Sequence, residues 1–266
     1  MNLWRWLLLF GGGMVMVFPL VWLLGTALKP MEESIFGVAW PLRPTLAHFG
    51  WVWRTVPFDR YAWNSGVVAG CSVVAHVLVC ALAAFPLARM RFRGRRLVFG
   101  LIVATSMVPF QVTLVPLYAI AVALKLRNSY WGLMFPYTVS AFGVFLLRQA
   151  FLGVPRELEE AARQDGCSQW GVWWFVMLPA VRPALVTLAV LTFVAVWGDF
   201  LWPLMMVDRA ELYTLPLGIV ALSSAFADNW RAIAAASVMS LVPILGLYGL
   251  GQRYLVSTDI GAGLKG

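Results

Sequence analysis

The stretch "NSGVVAGCSVVAHVLVCALAAFPLARMRFRGRR", residues 64–96, decides the fold. Its first 25 residues carry no charge, and its last eight carry Arg89, Arg91, Arg93, Arg95 and Arg96. About 20 consecutive apolar residues cross a ~30 Å hydrocarbon core as a helix. Positive charge collects on the cytoplasmic side of such helices. The stretch therefore reads as a membrane span running into a cytoplasmic loop.

The same pattern recurs on both sides. Uncharged or nearly uncharged runs predict spans over about 6–28, 63–88, 97–124, 128–150, 183–207 and 231–253. The 266-residue chain is 61% hydrophobic and 12% charged, with mean hydropathy +0.81. A soluble domain carries about a quarter charged residues. Barrel strands would be shorter and would alternate. The expectation is an all-α integral membrane protein, one transmembrane domain over 1–266 with six helices. Counting outward from the arginine loop places the N- and C-termini inside. The net charge of +8 follows from this topology and from contact with membrane lipid headgroups, so it does not point to nucleic acid.

The remaining segments are shorter. The first apolar run is long for a signal peptide, and "GTALKP" is a poor cleavage site. Residues 29–62 read as an ordered outer loop with short interfacial elements. Residues 212–227 read as a loop with a short helix, too short and too rich in Pro, Gly and Ser for a seventh span. Cys71 and Cys80 lie nine residues apart on one helix, about 13 Å by helical rise, too far for a disulfide. Cys167, His48 and His76 are isolated. No metal site is expected. His76 reads as a helix-packing hydrogen-bond partner rather than a proton relay.

One hydrophilic island interrupts the second half: "VPRELEEAARQDGCSQWGVWWFVMLP", residues 154–179. Pro155 suits a first turn, and Glu157, Glu159 and Glu160 suit the positive end of a helix. Glu159 and Arg163 form an i,i+4 pair, and Gly166 is a natural stop. Leu158, Ala161 and Ala162 offer a small apolar face. Glu157, Glu160 and Gln164 offer a polar one. A helix this short is marginal alone and should dock on something, either its own bundle or a partner. Trp170, Trp173, Trp174 and Met177 then recur at amphipathic spacing, as in a helix lying in the membrane interface.

The order Glu160-Ala161-Ala162, Gly166, Val176, Leu178-Pro179 resembles the signature loop of inner-membrane permease subunits of binding-protein-dependent ABC importers. "MVPFQVTLVPLYAIAVALKLRNSYWGLMFPY" (107–137), "WGDFLWPLMMV" (197–207), "YTLPLGI" (213–219) and "QRYLVSTDIGAGLKG" (252–266) are similar to the carbohydrate branch, of the maltose-transporter kind. The likeness covers the chain from about Asn64 onward. Val176 stands where the branch usually has isoleucine, and Gly198 where it commonly has asparagine.

The resemblance implies a division of labour. Glu160, Ala161, Ala162, Asp165 and Gly166 would form a cytoplasmic coupling helix that docks on an ABC ATPase present in two copies. The tail residues Ala262, Gly263, Leu264, Lys265 and Gly266 would make a second contact with it. A homologous permease chain would complete a heterodimer, and an extracytoplasmic sugar-binding protein would deliver cargo. The setting would be a bacterial or archaeal cytoplasmic membrane. The chain itself would be no enzyme and hold no cofactor. It has no GxxxxGK[ST] loop to cradle phosphates, so ATP and magnesium would sit on the partner.

Asn64, Gln111 and Asp199 are the candidates for lining a translocation path. An ionisable group such as Asp199 inside a span faces a cavity or a partner helix. Trp197, Phe200 and Trp202 beside it could stack on a sugar, or simply belong to an interfacial belt. No arginine or lysine lies deep inside a span, which favours neutral cargo over phosphate. Glycerol-3-phosphate or a polyol remains an alternative cargo. A self-sufficient secondary carrier is the alternative of another class, expected to show paired broken helices in two halves.

Overall fold

The computed structural model describes residues 3–256. Among these the regular elements are all helical. Three helices are long and apolar enough to cross a membrane, at Trp4–Leu28, Phe58–Arg89 and Trp230–Gln252. Three further candidates are pairs bent by 100°, 54° and 76°, so the count reaches six when each bent pair is one span.

The helices are α1 (Leu3–Leu28), α2 (Ala47–Thr55), α3 (Phe58–Arg89), α4 (Arg95–Thr105), α5 (Phe110–Ala123), α6 (Tyr130–Met134) and α7 (Ala141–Gly153). After them come α8 (Arg156–Gln164), α9 (Gln169–Gly171), α10 (Leu178–Ala180), α11 (Arg182–Gly198), α12 (Leu201–Met206), α13 (Leu215–Ala225) and α14 (Trp230–Val256). They form two compact units. Among the described residues, one takes 3–64 together with Tyr213–Ile244, and the other takes Ser65–Leu212 and 245–256.

In the first unit the long 29–62 segment is ordered by polar anchors. Lys29 is buried. Its Nζ donates to the Ser34 carbonyl at 3.0 Å and lies 5.5 Å from the Trp22 ring centre. The Glu33 carboxylate accepts the Leu42 and Arg43 amides, both at 3.1 Å. Arg231 donates to the Glu33 carbonyl. The expected short elements are α2 here and α13 in place of a seventh span. Tyr61 lies so close over Gly218 that a Cβ there would stand 2.3 Å from its ring.

In the second unit the core joins α3, α7, α8 and α11 through Phe85, Leu147, Phe151, Ala162, Trp173, Met177 and Leu188. The predicted span 97–124 is not one kinked helix. It breaks between Thr105 and Phe110 and turns through 100°. Pro109 cannot donate and disfavours helix at Val108. The amides of Ser106, Met107 and Val108 tighten to i−3 carbonyls. That tightening frees the Ile102 carbonyl, which takes the Thr105 hydroxyl at 2.6 Å. Freed backbone groups at membrane depth need such partners.

The predicted spans 128–150 and 183–207 are also interrupted. Ser129 caps α6 and Ser140 caps α7, accepting the amides of Gly132 and Gly143 at 3.1 and 2.9 Å. The fifth run stops at Asp199, whose backbone is extended, and resumes as α12. Two distant loops are knotted together here. Arg127 pairs with Asp208 at 2.7 Å. The Asn128 side chain donates to the Asp208 carboxylate and accepts the Asp208 backbone amide, and the Asn128 backbone amide donates to the Met206 carbonyl at 2.9 Å. Trp202 Nε1 donates to the Gly132 carbonyl at 2.9 Å.

This close approach predicts a strong effect at one glycine. A Cβ on Gly132 would stand 2.2 Å from the Leu126 carbonyl oxygen and 2.6 Å from Met206 Cε. Gly132→Ala should therefore cost about 1–3 kcal/mol, as overpacking does. Gly66→Ala, with open space around it, should be neutral or stabilising because alanine favours helix. Thermal unfolding in detergent checks both; equal melting temperatures would contradict the close approach.

Candidate functional site

The charged island folds as α8. Pro155 precedes it with extended backbone, so the missing N–H leaves no ladder bond unmade. Gly166 ends it at φ +84°. The Cys167 amide reaches back to the Ala162 carbonyl and the Gly166 amide to Arg163, both at 3.0 Å. That bond pair is the Schellman closure, which needs a left-handed residue at this position. Glu159 and Arg163 form the expected i,i+4 pair at 2.7 Å.

The face that turns inward is not the expected one. Leu158 is 48% exposed and Ala161 is exposed, whereas Ala162 and Glu159 are buried. Glu159 turns in because Arg89, at the end of α3, lies 3.9 Å from its carboxylate with a side chain only 5% exposed. Arg89 also donates to the Val154 carbonyl, which fixes the entry to α8. Glu157, Leu158, Glu160, Ala161, Gln164, Asp165 and Gly166 are left facing outward. Of the five candidate coupling residues, Glu160, Ala161, Asp165 and Gly166 are free, and Ala162 packs in its own core.

The tryptophan stripe is corrected as well. Val172–Met177 is a π-helical turn between α9 and α10. Its wider winding splits residues that α-helical spacing would align. Trp173 goes inside at 5% exposure with Met177, while Trp170 and Trp174 stay 69% and 53% exposed.

A second site forms where two helix breaks and the end of α11 converge. Phe110 after the 100° break, Pro136 and Tyr137 at the 54° break, and Gly198 and Asp199 at the end of α11 line one open cleft of about 470 Å³ with Val194 and Ala195. A neighbouring cavity of about 230 Å³ shares Pro136, Tyr137 and Ala195 and reaches His76 and Ser140. One polar network links them. Ser140 Oγ bonds His76 Nε2 at 3.1 Å, and His76 Nδ1 bonds the Tyr137 carbonyl at 2.7 Å. A carbonyl only accepts, so Nδ1 carries the proton and the serine hydroxyl donates to Nε2. The Tyr137 hydroxyl donates to Asp199, which also accepts the Leu201 amide at 3.0 Å.

Of the three path candidates, Asp199 is in the cleft. Gln111 is exposed on the first turn of α5 beside Phe110, outside the lining. Asn64 is fully buried in the other unit and donates to the Tyr213 carbonyl at 2.9 Å. Trp202 is buried and Trp197 is 5% exposed, stacked on Phe193, so neither offers a face to a sugar. Tyr137 escaped the sequence reading. The signal was Pro136 inside an uncharged run. The expected tail contact, Ala262–Gly266, lies outside the described residues. No group of three or more His, Cys, Asp or Glu suited to a metal occurs among the described residues.

Comparison with known families decides the kind of protein. The family described as binding-protein-dependent transport system inner membrane component matches residues 77–257. The chain belongs to this family. The permease is 38% identical to the sulfoquinovosyl glycerol transport system permease protein SmoH of Agrobacterium fabrum, over 94% of this chain and 89% of that one. It is 33% identical to the arabinooligosaccharides transport system permease protein AraQ of Halalkalibacterium halodurans, over 98% and 96%. The permease shares its fold with a chain of the bacterial ABC transporter that imports alginate, at TM-score 0.80 and 24% identity, over 94% of both. Its relatives are transport subunits, and its own role is transport rather than catalysis.

Proposed function

We propose that the chain is one of two permease subunits of an ABC importer that moves a sugar or sugar derivative across the cytoplasmic membrane of a bacterium or archaeon. The observation that carries this is the outward face of α8. A short charged helix, held from within by Arg89 and Glu159, leaves Glu160, Ala161 and Asp165 unoccupied. Such a helix is a handle for a separate cytoplasmic ATPase, present in two copies. ATP hydrolysis there drives alternating access. The arginine loop and both termini then lie inside. A homologous permease completes a heterodimer, an extracytoplasmic sugar-binding protein supplies cargo, and the C-terminal tail adds a second ATPase contact.

The cleft between two of the breaks and the end of α11 is the stretch of path contributed by this chain. Irregular backbone at membrane depth belongs where it is buried or lines a wet cavity. The Asp199 carboxylate accepts hydrogen bonds from sugar hydroxyls, and no arginine or lysine lines the cleft to hold a phosphate. This favours neutral cargo such as the arabinooligosaccharides for which one relative is named, whereas the sulfoquinovosyl glycerol and alginate named for other similar proteins are acidic. Glycerol-3-phosphate is the second reading, because a permease of that name in Yersinia enterocolitica is 35% identical over 76% of this chain.

Co-purification in mild detergent tests the assembly. The expected result is an ATPase and a second permease recovered with the tagged chain. A lone chain without ATPase activity would return the reading to a secondary carrier. For the cleft, Asp199→Asn keeps an acceptor for Tyr137 and removes the charge. Uptake of neutral sugar should fall about three- to tenfold, the difference between a charged and a neutral hydrogen bond, with little change in melting temperature. Unchanged uptake would reduce Asp199 to a packing partner.

A further inference from the structure

The sequence reading leaves the arginine run as a topology signal in diffuse contact with lipid. The structure gathers part of it into a cavity. Arg89, Arg91 and Arg95 meet Arg156 and Arg163 of α8 around a space of about 590 Å³, with Met90, Glu159, Glu160 and Gln169 completing the wall. Five arginines stand against two glutamates. Arg163 is occupied by Glu159 and Gln169, and Arg95 by the Met90 carbonyl at 3.0 Å. The side chains of Arg91 and Arg156 make no hydrogen bond or ion pair among the described residues. Arg89 is buried and donates to the Val154 carbonyl, but its Nε, 3.9 Å from the Glu159 carboxylate, is too far from it for a hydrogen bond and has no other partner. A buried donor left unsatisfied costs stability, and an anionic oxygen in the cavity would remove that cost.

The depth of the cavity identifies the source of that oxygen. Arg89 is the last residue of α3 and Arg95 the first of α4. Both helices belong to candidate spans, so the cavity lies where spans end, at headgroup level. Met90, Phe92 and Leu97 of the same loop are exposed. Exposed apolar side chains beside guanidiniums suit the boundary where acyl chains give way to phosphate groups. Guanidinium forks suit phosphate.

We propose that this cavity is a phosphate site that holds the headgroup of an anionic phospholipid against α8. One wall is the membrane loop, and the other is the 156–163 face of α8, so a bound headgroup bridges bilayer and helix. The site rests on the geometry alone. Its bearing on transport rests on the reading of α8 as the coupling element.

Lipid retention by the full chain, measured by native mass spectrometry after delipidation and addition of dioleoyl phosphatidylglycerol or phosphatidylcholine, tests the site without any transport assay. Wild type should hold phosphatidylglycerol and not phosphatidylcholine. A hydrogen bond to a charged group contributes enough for about tenfold or more in affinity, so R91Q or R156Q should weaken retention about tenfold and the pair roughly a hundredfold. R93Q removes an arginine from the same loop but not from the cavity wall, and should change retention less than twofold. Equal losses in R93Q and R91Q would mean diffuse attraction and overturn the proposal. So would undiminished binding by the double variant, or equal retention of both lipids by wild type. Displacement of phosphatidylglycerol by millimolar inorganic phosphate would overturn the lipid assignment in favour of a free phosphate. Failure to recover an ATPase partner would remove the transport reading and leave the retention series intact.

Discussion

Glu160→Ala combined with Gly166→Pro is expected to abolish uptake while ATP hydrolysis by the assembled transporter continues. Proline holds φ near −65°, and Gly166 sits at +84°. Its amide also closes on the Arg163 carbonyl, a bond proline cannot make. The end of α8 must therefore unwind, at a cost of about 3 kcal/mol, or about a hundredfold in the population of the docking conformation. The proline ring itself meets no neighbour, because nothing lies within 4 Å of a Cβ at Gly166. Reconstituted vesicles assayed in parallel for uptake and hydrolysis give the answer. Uptake at the wild-type rate would remove α8 as the coupling element.

Glu159 should behave in the opposite way to Glu160, its neighbour. Glu159→Ala leaves Arg89 buried without a carboxylate, and breaking a buried pair costs about 3–5 kcal/mol. The lower end applies, since Arg89 keeps the Val154 carbonyl. The melting temperature should drop sharply. Glu160→Ala alone, on an exposed position, should leave it unchanged. Replacing both Arg89 and Glu159 by leucine should recover most of the loss, because a buried pair exchanged for apolar side chains is often neutral. A mild Glu159→Ala would show that the pair does not hold α8 to the bundle.

These contrasts mark how far the sequence could be read. The spans were legible because lipid excludes charge, and charge is visible residue by residue. The breaks inside them were not, because an apolar run records composition and not where backbone bonds go. Pro109 and Pro116 look alike in the sequence. Pro116 lies inside α5, whereas the chain turns through 100° just before Pro109. There the Thr105 hydroxyl takes up a freed carbonyl. In α8 the local features were readable: the Glu159–Arg163 pair and the glycine stop depend only on near neighbours. Its inward face was not, because Arg89 is 70 positions away in the chain and overrides the alanine stripe. Asp199 drew attention as a charge in a span, but its partner Tyr137 lay hidden in an uncharged run.

The knot around Asp208 has a mechanical consequence. Arg127 and Asn128 precede one broken span, and Asp208 follows another, yet the side chains and backbone of these loops are bonded to each other. A lever transmits displacement only if its arm is stiff. Tying two arms together makes them move as one piece. In the second unit these two spans are therefore tied twice, at Asp208 and again where the Tyr137 hydroxyl donates to Asp199.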